Sequence, residues 1–272
     1  MAYLCGSEAG QLFSDAGFTT LSHTDSIFSA DKNNHSSSFL SPTFDVDEWK
    51  AFLISVKVAA ACVLVVATPG ILLGYLLATR SFPGRSLVNA CVHLPLVIPP
   101  VVTGYLALSI FGKNTPIGSF LEKTFGISFA FNCVGAILVA AIMGFPLLVR
   151  SVKTAVEMVD RRYRFAANIL GAGPVRTFFT ITLPLAGPGI LAGLVLAFAR
   201  SLGEFGATAV FVGNIPGETQ TLSLAIYNFM QIPGAESSAM RLVVISTVIS
   251  LAAMLASELL LQRMTKFSRV RA

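Results

Sequence analysis

The chain has 272 residues, 54% hydrophobic and 12% charged, with a formal net charge of +5 and a mean hydropathy of +0.74. Soluble domains carry about 25% charged residues, so a water-soluble fold is excluded and an all-α integral membrane protein is expected. The basic excess contains no Arg/Lys run with interleaved aromatics, which argues against nucleic acid and for the basic inner loops of a membrane protein.

Residues 1–45 are polar, with the run "DKNNHSSSF", and hold no apolar core long enough for a signal peptide. They read as a mobile N-terminal tail. Crossing a hydrocarbon core takes about 20 apolar residues, and five stretches reach that length, near 51–79, 86–111, 130–150, 185–211 and 241–263. Helices are expected for all five, because a helix satisfies its own backbone in lipid. Most Lys and Arg lie after the first, third and fifth stretches. The positive-inside rule then puts the N-terminus outside and the C-terminus inside. Trp49 suits an outer interfacial anchor, and Lys57 can snorkel to the same surface.

The second stretch carries Pro95, Pro99 and Pro100. Each removes a backbone donor and opposes a straight helix. A bent segment facing a pathway is expected, with Pro99 and Pro100 at the bend and Thr103 as a polar lining.

Between the third and fourth stretches lies the largest inner loop, containing "RYRFAANILGAGPVRTFFTITLPLAGPG". Tyr163, Ala166, Ala167 and Leu170 stand at i, i+3, i+4 and i+7, one face of a helix. Asp160 is its expected N-cap, Gly171 its C′ residue, and Pro174 prevents simple continuation. A second short helix is expected over Val175–Thr180, with Pro184 ending the loop. An alanine-built face grips lipid poorly but permits close approach to another protein.

The fourth stretch holds Arg200 and Glu204, four apart and so on one face of a helix. A charge such as Arg costs about 2.5–3.5 kcal/mol at mid-membrane, which mutual pairing lowers. Two readings stand side by side: an internal brace, or a border of an anion route in which Ser201 takes part. Beyond it, Leu222, Ala225, Ile226, Phe229 and Met230 predict an outer helix too short to span. Asn214 and Glu218 nearby are candidates for contact with an external protein.

Other classes find little support. Cys5, Cys62, Cys91 and Cys133 form no Cys-x-x-Cys pair, and His23, His35 and His93 are scattered, so no metal site is expected. There is no His-Glu-x-x-His and no Ser/His/Asp arrangement. Gly112-Lys113 is followed by Asn114, so the phosphate-binding Gly-Lys-Ser/Thr ending is absent. A stand-alone secondary transporter is the rival, although five spans do not divide into two equal repeats.

Ala166-Ala167, three residues, Gly171, nine residues, then Ile181-Thr182-Leu183-Pro184 resembles the cytoplasmic "EAA" loop of bacterial ABC import permeases. The usual acidic first position is Phe165 here. "HLPLVIPPVVTGYLAL", "AFARSLGEFGATAVFVGNIPGETQTLSLAIY" and "FFTITLPLAGPGI" resemble the molybdate permeases, with sulfate permeases as close relatives. The resemblance implies the type I ABC importer permease fold over residues 46–265, followed by a basic tail at 266–272. It implies a bacterial inner-membrane subunit without catalytic residues, moving molybdate or tungstate, or sulfate in the alternative. Two copies would pair, with two cytoplasmic ATPase subunits and an external oxyanion-binding protein. ATP and Mg would be used by the ATPase, and no cofactor by this chain. Phe165, Ala166, Ala167, Leu170, Gly171, Gly173 and Arg176 would dock the ATPase.

Overall fold

The computed structural model describes residues 46–126 and 128–269. The polar segment expected as an N-terminal tail lies outside the described residues, as do the last three. Eleven helices can be followed through the described chain: α1 Val46–Thr79, α2 Arg85–Val97, α3 Pro100–Phe111, α4 Pro116–Phe125, α5 Cys133–Glu157 and α6 Arg161–Ile169 come first. α7 Pro174–Thr177, α8 Leu183–Leu202, α9 Gly206–Phe211, α10 Leu222–Phe229 and α11 Glu236–Arg269 follow. α11 thus runs to Arg269, into the basic segment 266–272.

Four helices are long and apolar enough to cross a membrane, and the α2–α3 pair makes a fifth if counted as one span. That pair is the first departure from the sequence expectation. The stretch 86–111 is two helices bent by 111° at their break rather than one bent helix. Ile98 is extended (ψ 137°) and Pro99 likewise (ψ 134°), as residues preceding a proline tend to be. Two such residues in succession turn the chain far more than one kink.

The stretch 185–211 departs in a second way. α8 stops at Leu202, Gly203 caps it, and α9 is a separate short helix. A third difference lies at the inner loop, where the second short helix is not separate but runs on through Pro184 into the fourth stretch. Residues Phe178–Thr182 form a π turn, with the Leu183 N–H bonded to the carbonyl of Phe178. A widened turn relieves the clash between a proline ring and the carbonyl four residues back. The helix therefore runs unbroken over Pro174–Leu202.

α5 is the axis of the bundle and the most buried of the four long helices, and α11 is the least. Lipid tails are as apolar as leucine, so helices associate here through close backbone approach and interhelical hydrogen bonds. A Cβ added to Gly74 of α1 would stand 2.7 Å from Val152 Cβ of α5. On the other side of α5, Ser151 Oγ donates to the Gly189 carbonyl of α8 at 2.8 Å. α11 joins the outside of α8, where Ser257 Oγ donates to the Ala192 carbonyl at 3.3 Å. The far end of α1 is fastened twice. Ser55 Oγ accepts the Leu222 N–H of α10 at 2.6 Å. The fully buried Glu48 pairs with Arg241 of α11 at 2.5 Å.

Candidate functional site

The inner loop is built by local signals. Asp160 accepts the Arg162 N–H at 2.9 Å and so caps α6 at its start. At its end Gly171 has φ +76°. Its N–H donates to the Asn168 carbonyl at 3.0 Å, and the Ala172 N–H donates to that of Ala167 at 2.9 Å. This is the paired closure of a Schellman turn, which needs a left-handed residue at C′. The expected cap and elbow are both present.

The face that α6 presents differs from the one expected. Ala167 is buried within the chain at 6% exposure, whereas Leu170 is 86% exposed. Phe165, Ala166, Ile169 and Leu170 form the open apolar stripe, and Val175 extends it across the elbow. Ile169 and Val175 are absent from the sequence-based set. The 3.6-residue period shows that a face exists, but not which of two adjacent stripes points away from the protein. Gly173 and Arg176 are exposed beside the stripe.

The second locality is where the two broken stretches meet. A Cβ on Gly104 of α3 would lie 2.6 Å from the Ala207 carbonyl oxygen of α9. One on Gly206 would lie 3.1 Å from Pro100 Cβ. The bend at Pro99–Pro100 and the break at Gly203–Phe205 are thus a single crossing, which sequence spacing cannot reveal. Thr103 is buried there at 7% exposure, and its hydroxyl has no partner among the described residues.

Arg200 and Glu204 are not on one helical face, since Glu204 lies beyond the end of α8, yet they pair. Arg200 Nη1 stands 2.6 Å from Glu204 Oε2, and Glu204 Oε1 accepts the Ala207 N–H at 3.0 Å. The carboxylate therefore ties the last turn of α8 to the first turn of α9. A cation in the last turn of α8 is also favoured by the helix dipole. Ser201 points elsewhere: its Oγ lies 2.9 Å from the Ala197 carbonyl and 3.0 Å from Cys62 Sγ of α1. Asn214 and Glu218 are exposed on the connection to α10, whose turn is held by the Thr219 hydroxyl accepting the Ile215 N–H at 3.1 Å. No group of three His, Cys, Asp or Glu able to hold a metal occurs among the described residues.

The family described as binding-protein-dependent transport system inner membrane component matches residues 70–266. The molybdenum transport system permease protein of Escherichia coli (strain K12) is 52% identical over 225 residues, 83% of this chain and 96% of that protein. The corresponding protein of Haemophilus influenzae is 50% identical over 219 residues, covering 80% and 96%. Among solved structures, a bacterial alginate ABC transporter in complex with its alginate-bound periplasmic protein superposes with a TM-score of 0.60. It shares 18% identity, over 84% of this chain and 81% of that one, which speaks to the fold alone.

Proposed function

This chain belongs to the family of inner membrane components of binding-protein-dependent transport systems, and we propose that its cargo is a tetrahedral oxyanion, molybdate or tungstate. It is a permease subunit of an ABC importer with the type I fold. Molybdenum transport is what the two bacterial relatives are named for, and their similarity runs almost end to end.

The observation that carries the mechanism is the join between α6 and α8. An exposed apolar helix is fixed by a Schellman turn to a helix that continues unbroken from Pro174 to Leu202. A force that crosses the elbow from α6 is carried along one continuous helix as far as Arg200. In this reading the N-terminus is outside and the C-terminus inside, and α6 meets a cytoplasmic ATPase. Phe165, Ala166 and Leu170 supply the docking stripe, with Ile169 and Val175 added. Ala167, Gly171 and Gly173 hold its angle, and Arg176 lies at its edge. Two copies line one pathway, and two ATPase subunits pull the docking helices together as they close on ATP. Pro99, Pro100 and Thr103 with Arg200, Ser201 and Glu204 belong to the moving gate. Asn214 and Glu218 face the external binding protein. The subunit makes and breaks no bonds.

Uptake of labelled molybdate by cells with and without this chain tests the reading. Loss of uptake on deletion, competed by tungstate but not by excess sulfate, is the expected result. Intact molybdate uptake with impaired sulfate uptake would keep the architecture and replace the cargo.

A further inference from the structure

We propose that Arg200 is the side chain that touches the oxyanion in transit, and that Glu204 is its positioning residue rather than a second lining group. The proposal rests on the oxyanion reading above and divides the roles within the pair. The Glu204 side chain is 2% exposed against 28% for Arg200. Glu204 Oε1 accepts the Ala207 N–H, and the buried Oε2 lies 2.6 Å from Arg200 Nη1 as an ion pair, with no hydrogen-bond partner among the described residues. A carboxylate so enclosed offers no face to a passing anion.

Arg200 is the converse. A guanidinium has five N–H donors in a planar fork, and among the described residues Glu204 is the partner found for it. Donors therefore remain on its exposed edge. A tetrahedral dianion presents several acceptor oxygens, and the fork suits two-point contact with them.

The pair gives the passage a property that neither group supplies alone. An uncompensated arginine in a low-dielectric surround would hold a dianion tightly, whereas a carriage site must let go. Glu204 brings the local charge near zero while leaving the donors in place. Its Oε1 also caps the first turn of α9, the helix on which Gly104 of α3 rests. Any displacement of α9 from α8 drags the carboxylate and turns the guanidinium. Cargo contact and gate position are thereby joined through one side chain.

The test uses the full-length chain assembled with its ATPase, in lipid nanodiscs without the binding protein for retention and in vesicles with the binding protein for transport. The probe is radiolabelled molybdate. Two quantities are read: molybdate retained per transporter after rapid gel filtration, and molybdate moved per ATP hydrolysed. Glu204→Gln keeps an acceptor for Ala207 but removes the charge. It should raise retention by on the order of tenfold and lower transport per ATP. Arg200→Gln, alone or combined with Glu204→Gln, should return retention to background. Retention at or below wild type in Glu204→Gln, or retention that survives in Arg200→Gln, overturns the assignment. A merely structural brace would lower the yield of assembled transporter in all three and raise retention in none. If Glu204→Gln does not assemble, Glu204→Asp replaces it: the charge is kept but its reach is shortened. Lower transport per ATP with retention near wild type is then expected, and unchanged transport per ATP overturns the proposal. A wild-type transporter that moves no molybdate overturns the molybdate reading itself.

Discussion

Helices end both at the inner elbow, residues 160–173, and at the crossing of α3 with α9, but different physics ends them. At the elbow every determinant lies within a few residues. Asp160 caps the start, Gly171 takes φ +76° at the finish, and two backbone bonds close the turn. At the crossing the determinants lie about a hundred residues apart in sequence. A Cβ on Gly104 would run into Ala207, and one on Gly206 would press on Pro100. A locally built element can transmit or lose a force without disturbing the bundle. An element built by distant contacts cannot be altered without loosening the bundle itself.

Substitutions can break that contrast or sharpen it. The largest effect is expected from Gly171→Pro, which forces φ to about −65° and deletes an N–H now bonded to Asn168. Uptake should fall to background while membrane insertion and thermal stability in detergent hold. Normal coupled uptake by this variant would sink the docking role of α6. Gly104→Ala should do the reverse. Its Cβ would meet the Ala207 oxygen at 2.6 Å, and overpacking of this kind costs about 1–3 kcal/mol. A lower unfolding temperature is the expected reading, and an unchanged one would show that the crossing is loose. Asp160→Ala removes an N-cap worth about 1 kcal/mol. Faster amide exchange confined to the first turn of α6 is predicted, and slackening elsewhere would mean the elbow is not local. Phe165→Glu is the smallest change. The ring is 68% exposed, so stability should move by less than about 0.5 kcal/mol. Co-purification with the ATPase is where a difference should appear, since this position carries an acid in the loops it resembles.

The same contrast explains what could be read in advance. Asp160 and Gly171 are legible because capping chemistry is written in neighbouring residues. Pro99 and Pro100 announce a break, but its 111° angle depends on two successive extended residues. Gly203 gives little warning that α8 stops at Leu202, because glycine is common within membrane helices. The inward turn of Ala167 and the outward turn of Ile169 escape a periodicity argument, which fixes spacing but not direction. Glu48 and Arg241, paired at 2.5 Å, are nearly the length of the described chain apart. Arg200 and Glu204 were legible as a pair for the wrong geometric reason: they meet across a helix end, not along a helix face.

The π turn at Phe178–Thr182 has a further consequence. A helix is a screw, and each residue advances its phase by about 100°. A π turn accommodates one residue more than an α turn does while the axis continues. Removing a single residue here would let the turn close to an ordinary α turn, leaving the phase of the docking stripe against the transmembrane rod nearly unchanged. Adding one, with the wide turn already taken up, would advance that phase by about 100°. A one-residue insertion between Thr177 and Leu183 is therefore expected to be worse tolerated than a one-residue deletion.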